Sequence, residues 1–382
     1  MPRTRSICAA ALLAACSSEP VDTATDTTTT STTTSTTDTT GTSTATAGDD
    51  TTTAADDTTS TTSTSTSPTT TGDAPTTGTT TAADDTTTTT GTTTEAMPSG
   101  PNVDVSDPQL YEFSFKPDEA DPAAALALGA QLAELDTTVP LQGRLVVYLH
   151  GAGQPTTCGS QAHGVVLARM GFHVIHPCYV SDYGVGNCGD DIGGCRLEAF
   201  EGVDHHDFID IPPPDSIETR VVKMLGHLQT LHPGGDWQYF IEDGKPRWSE
   251  IVISGISHGA SSSGVIGMNR AVERVVMLSG PLDSNQAWLE GDPLTPIDRF
   301  WGFTHTGDDQ HPGHLQSFAD MMLPGEPVVV DGAAPPYMDS HRLVTSAPTG
   351  DGHGSTQAGG SSPKDADLYV FEPVWRVMYG AD

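Results

Sequence analysis

Gly255-Ile256-Ser257-His258-Gly259 sets one serine between two glycines, directly after the β-branched run Ile251-Val252-Ile253-Ser254 and before Ala260-Ser261-Ser262-Ser263-Gly264. A serine hydroxyl attacks a carbonyl carbon only when it stands clear of its own backbone and a base takes its proton. The spacing G-x-S-x-G meets the first condition. A strand turns sharply into a helix, the serine takes strained dihedrals, and glycine on either side removes a β-carbon that would collide across the turn. Five-residue matches of this kind also arise by chance. The preceding strand pattern and the following run of small residues make Ser257 the candidate nucleophile.

A base and a carboxylate that orients it must then follow, in the chain order nucleophile, acid, histidine. After the short apolar run Phe300–Thr304 comes His305-Thr306-Gly307-Asp308-Asp309, and after Arg342–Thr345 comes Asp351-Gly352-His353-Gly354. Asp308 and His353 fit the order. Asp309 competes with Asp308, because loop geometry decides which side chain turns inward. His341 competes with His353 but precedes its strand, whereas the base normally sits on a loop beyond it. Charge developing on the carbonyl oxygen needs backbone N–H donors. One is expected from His258, the residue after the nucleophile. The other is expected from Leu149-His150-Gly151-Ala152-Gly153, with Ala152 the first choice and Gly151 the second.

The elements that must hold these groups alternate. Gln109–Phe115 alternates apolar and polar residues, as a half-buried strand does; Arg144–Leu149, Phe172–His176, Ile251–Ser254 and Val275–Leu278 read as strands covered on both faces. Gly164–Met170 reads as a crossover helix, and Asp215 can cap a helix over Ser216–His232. Further helices are expected from about Ala260 and over Pro373–Tyr379, and weaker strands at Phe300–Thr304 and Arg342–Thr345. Such alternation predicts a mostly parallel sheet with helices on both faces.

Of 382 residues, 50 are Asp or Glu and 16 are Lys or Arg, a formal charge of -34. Phosphate affinity depends on clustered cations, so nucleic-acid binding is excluded as a first reading. The first 16 residues carry Arg3 and Arg5, an apolar stretch from Ile7 to Leu13 too short to span a bilayer, and Leu13-Ala14-Ala15-Cys16. Small residues before a cysteine resemble a bacterial lipoprotein signal, which implies export, lipidation of Cys16 and anchoring at a membrane, with Ser17 favouring the outer membrane or cell surface. Residues 17–100 are Thr-rich, with 12 acids and no Lys or Arg. Such a segment cannot bury enough apolar surface to offset its chain entropy and is expected to be a disordered stalk. Residues 101–382 then form a single domain with 14 cations and 38 acids, a net of -24.

Cys158, Cys178, Cys188 and Cys195 remain after the signal. Four cysteines in an exported domain suggest two disulfides. Of three pairings, Cys158–Cys178 with Cys188–Cys195 is favoured: the first two follow neighbouring strands and the second two close a short Gly-rich loop. Asp204-His205-His206-Asp207 and the run from His305 through Asp308, Asp309 and His311 to His314 carry ligand-type side chains, but solvated loops explain them better, and neither a metal nor a cofactor is expected.

Residues from about 140 to 380 resemble the α/β-hydrolase superfamily, through the His150–Gly153 loop, the elbow at Ser257, and Asp and His in order. Arg196-Leu197-Glu198 with Gly202-Val203-Asp204, Asp215–Arg220, Pro246-Arg247-Trp248 and Gly302–His305 also resemble a branch of secreted bacterial and fungal serine hydrolases. That branch more often has Gln at the position of His258, so a charged or bulky His there would bear on pH dependence or leaving-group fit. The resemblance implies an α/β-hydrolase fold and an ester-type hydrolase without a fixed substrate. About twenty residues separate Leu278 from Phe300, too few for a large cap, whereas Tyr179–Pro214 is a long excursion with its own cysteines. An open or lightly covered cleft edged by that loop is expected, taking a small-molecule or polymeric ester, in a monomer. The rival readings are a non-catalytic binding or adhesion lipoprotein on the same fold, and a peptidase or amidase with the same triad.

Overall fold

Strands buried on both faces have no polar side to turn toward water, and four of them form the middle of this chain: β3 (Leu145–Leu149), β4 (His173–His176), β5 (Ile251–Ile256) and β7 (Phe300–His305). The computed structural model describes residues 100–381. With β1 (Leu110–Phe115), β2 (Gln131–Asp136), β6 (Arg274–Leu278), β8 (Val328–Val329) and β9 (Arg342–Thr345), these strands make a nine-stranded sheet in the order β1-β2-β4-β3-β5-β6-β7-β9-β8. β2 runs antiparallel to both its neighbours, and all other pairings are parallel.

Period-2 alternation divides the strand side chains between two apolar layers. Leu145, Val147, Ile251, Ile253 and Val275 pack with α3 (Ile217–Leu231), α4 (His258–Asn269) and α5 (His311–Asp320). Val146, Tyr148, Val252 and Val276 pack with α1 (Gln161–Arg169) and α6 (Glu372–Tyr379). Helices therefore cover both faces, as expected. The register puts the carboxyl ends of β3, β5, β6, β7 and β9 on one edge, through the pairs Leu149↔Gly255, Ile256↔Leu278, Leu278↔Phe303 and Thr345↔His305. In parallel sheets this edge is where ligands bind.

Three elements differ from the sequence expectation. β2 has no alternating apolar signature, because Gln131, Glu134 and Asp136 lie buried within it. Glu134 is answered by His176 on β4, at 3.1 Å. The cap of α3 is Ser216, which accepts the Thr219 N–H at 3.3 Å. Asp215 instead accepts the Ala125 and Leu126 N–H groups, at 2.9 Å each, and pairs with Arg220. Finally, α4 opens at His258 rather than Ala260. The signal, Cys16 and nearly all of the Thr-rich segment lie outside the described residues. Among the described residues no helix is long and apolar enough to cross a membrane.

Candidate active site

Ser257 ends β5 with φ 58° and ψ -118°, a region that costs a non-glycine residue free energy unless its surroundings hold it there. The surroundings do. Its N–H donates to the Leu278 carbonyl at 2.9 Å, and its carbonyl accepts the Ala260 N–H at 3.0 Å and the Ser261 N–H at 3.2 Å, which opens α4. Both flanking glycines are sterically required. A β-carbon on Gly259 would lie 2.1 Å from the Leu149 oxygen, and one on Gly255 would lie 2.5 Å from the Gly259 carbonyl carbon. The five small residues from Ala260 to Gly264 are all buried, so the helix packs close beneath the turn.

The competing acids are separated by burial. Asp308 is inside and Asp309 is exposed. The Asp308 Oδ1 accepts the Gln310 N–H at 2.9 Å, and Oδ2 accepts a hydrogen bond from His353 Nδ1 at 2.7 Å. With Nδ1 committed to the carboxylate, Nε2 is the lone-pair nitrogen, the tautomer a general base needs. The His353 side chain keeps 33% of its surface exposed, against 3% for Asp308, so the imidazole reaches solvent. Its loop is pinned from behind: Ser279 Oγ donates to the His353 carbonyl at 2.7 Å, and Gly352 packs against Gly307 so closely that a β-carbon would lie 2.6 Å from the Gly307 carbonyl carbon. His341 is elsewhere, stacked on Trp301 at 3.7 Å with its Nδ1 on the Phe300 carbonyl. Its candidacy as the base falls.

Gly151 adjoins the serine, since a β-carbon there would lie 3.5 Å from Ser257 Cβ. Ala152 follows it and is exposed. The third amide of this loop, Gly153 N–H, is already used, donating to the Ser181 carbonyl at 3.0 Å. Tyr179 and Ser181 fix the loop further by donating to the His150 and Gly153 carbonyls, at 2.7 Å each. A cavity of about 150 Å³ lies alongside, lined by Gly151, Ala152, Thr157, Ile256 and Gln357.

The His258 side chain corrects one expectation. It turns inward, 6% exposed, with Nδ1 3.1 Å from the Tyr179 hydroxyl and its ring edge-on to Tyr183 at 4.7 Å. Burial, and then the positive charge of Arg196, hold its pKa well below the usual imidazole range. A neutral, enclosed ring adds no charge beside Ser257.

Two features surround these residues in ways the sequence did not reveal. Arg196, on α2 (Ile192–Glu201), forms a buried two-pronged pair with Asp283, Nε to Oδ2 at 3.1 Å and Nη2 to Oδ1 at 3.2 Å, while Nη1 donates to the His258 carbonyl at 3.3 Å. This pair ties the first turn of α4 to the excursion. Arg196 lies within a stretch that carried the family resemblance, but nothing in the sequence pointed to Asp283. The second feature is His314, buried beside the acid with Nδ1 2.9 Å from Thr304 Oγ1 and 3.8 Å from Asp308 Oδ2. Burial lowers its pKa to about 4, so it adds no positive charge next to Asp308 at neutral pH.

Other candidate ligands are dispersed into structural bonds. His305 Nε2 donates to the Ala347 carbonyl, His311 meets Thr304 Oγ1, His205 meets Glu201, and Glu198 accepts the His205 and His206 N–H groups. Asp308, His314 and His353 do offer ligand-type atoms within 4.8 Å of one another. The Cys158–Cys178 and Cys188–Cys195 sulfurs sit at bonding distance, 2.03 and 2.05 Å.

No family model and no curated protein matches the chain. Among solved structures it is similar to an acetyl xylan esterase from Aspergillus awamori (14% identity, TM-score 0.36, covering 71% of this chain and 100% of that one). It is also similar to a feruloyl esterase module from Clostridium thermocellum (10%, 0.36, 71% and 87%) and an S-formylglutathione hydrolase from Agrobacterium tumefaciens (11%, 0.33, 56% and 82%). Likenesses this distant decide nothing about chemistry, which the geometry of the chain's own residues must carry.

Proposed function

We propose that this protein is a serine hydrolase of carboxylic esters, exported and held at a bacterial membrane by lipid on Cys16. The observation that supports the reading is the Asp308–His353 bond on a loop that Ser279 Oγ ties, through the His353 carbonyl, to the strand end whose Leu278 carbonyl accepts the N–H of Ser257 at its strained, glycine-flanked elbow. In this reading His353 Nε2 takes the Ser257 proton as Oγ attacks the acyl carbon. The tetrahedral oxyanion is met by the Ala152 and His258 N–H groups, with Gly151 as the alternative donor in the loop. His353 then protonates the departing alkoxide and leaves an acyl-serine. Water attacks the acyl-serine with His353 again as base, and Asp308 stabilises the imidazolium throughout. The small cavity of about 150 Å³ against Gly151 and Ile256 favours a short group on one side of the ester.

Hydrolysis of p-nitrophenyl acetate by the purified protein and its Ser257→Ala variant tests the reading. Turnover is expected to fall by about 10⁴-fold or more, since removing a triad member costs that order in kcat. Turnover that survives the substitution unchanged removes Ser257 from the chemistry.

A further inference from the structure

A groove of about 630 Å³ opens beside the loop that flanks Ser257. Its apolar walls include Leu126, Leu128, Phe208 and Ile211, with Asp182 and Asp210 as its only acidic members. Leu126, Leu128 and Phe208 stand 38, 40 and 50% exposed, a local cost in water that an apolar occupant would remove. The volume falls within the range of small-molecule sites.

Three contacts tie this groove to the candidate active site. Gln154, which lines it, follows Gly151–Gly153 directly and donates to Asp182 Oδ2 at 2.6 Å. The neighbouring Ser181 bonds the carbonyls of Gly151 and Gly153. Tyr183, another lining residue, packs edge-on against His258, the residue after the serine. The opposite wall is braced too: Asp215 and Arg220, buried and paired, hold the backbone of Ala125 and Leu126.

Charge narrows the occupant. None of the groove's lining residues is basic; Lys116 lines an adjoining cavity beyond Leu128, and Arg196 is committed to Asp283. Two carboxylates at a groove of mixed polar and apolar lining, within a domain of net charge -24, attract a cation and repel an anion. We propose that this groove binds the larger half of the ester, an apolar group that ends in a positive charge. Calling that occupant a substrate rests on the proposed role of Ser257; its binding does not.

The test is therefore equilibrium binding to the Ser257→Ala protein, by calorimetry, of three matched 4-phenylbutyl compounds ending in trimethylammonium, in a methyl ether and in carboxylate. The ammonium compound is expected to bind at least about tenfold more tightly than the carboxylate at low salt, with the ether between them, and the gap is expected to narrow as salt screens the exposed acids. Asp182→Asn combined with Asp210→Asn should erase the charge order while all three compounds still bind. Leu128→Asp should weaken the ether. Equal affinities for ammonium and carboxylate, or a charge order that survives loss of both acids, would overturn the assignment. A failed nucleophile would show instead as unchanged ester turnover in Ser257→Ala, with the binding order intact.

Discussion

Asp308 and Asp309 are the same functional group one residue apart, and the fold gives them different surroundings. Asp308 is enclosed, its Oδ1 committed to the Gln310 N–H and its Oδ2 to His353. Asp309 faces solvent. Asp308→Asn is expected to lower kcat for an activated ester by about 10⁴-fold, because an amide stabilises the wrong imidazole tautomer. Asp309→Asn should change it less than about twofold. Equal losses in steady-state kinetics, with both variants folded by circular dichroism, would refute the assignment. The sequence could not choose between these neighbours, since both satisfy the order of the triad and only the closing turn of the loop turns one inward. The strained turn at Ser257 was legible, because its requirement is local: two glycines without which the turn collides with Leu149 and with itself. The orientation of the His258 ring was not, since Tyr179, Tyr183 and Arg196 approach it from distant parts of the chain.

Legibility at the level of elements follows the same division between local and distant causes. β3, β5 and β6 announce themselves as continuous apolar runs, because each is covered on both faces. β2 does not, since it buries Gln131, Glu134 and Asp136, and the His176 that answers Glu134 comes from a part of the chain that no short window reveals. β8 is two residues long, and pairing with β9 rather than any propensity defines it. Asp215 and Ser216 both suit a helix cap. Ser216 takes the cap because the Asp215 carboxylate is drawn to Arg220 and to the amides of Ala125 and Leu126. The Tyr179–Pro214 excursion and its Cys188–Cys195 pair were legible in the sequence, but its helix and the reach of Arg196 were not. It carries α2, the Cys188–Cys195 pair and Arg196, and so reaches back to the base of the elbow. Removing either member of the Arg196–Asp283 pair would leave a buried charge uncompensated, at a cost of about 3–5 kcal/mol.

Across the whole domain, net acidity and buried imidazoles pull stability in opposite directions as pH falls. Burial lowers the pKa of His150, His173 and His314 to about 4 and of His163 to about 3, whereas in the unfolded chain each binds a proton near 6.5. Between those values the unfolded state holds more protons, so the stability from neutral burial is complete above about 6.5 and declines as pH drops toward 4. Carboxylate protonation, which relieves the excess of 38 acids over 14 cations, acts mainly below about pH 5. Thermal unfolding followed from pH 7 to about 5.5 should therefore show Tm falling by several degrees; a flat or rising Tm over that interval would mean these histidines are not buried as neutral rings.

A fluorophosphonate reacts with a serine only when its hydroxyl is activated, so the site of labelling on the intact protein addresses the central claim without any choice of substrate. Peptide mapping by mass spectrometry is predicted to find one adduct, on Ser257, that forms far more slowly in His353→Ala and is absent from Ser257→Ala. A protein left unlabelled, or an adduct on another residue that persists in Ser257→Ala, would contradict it.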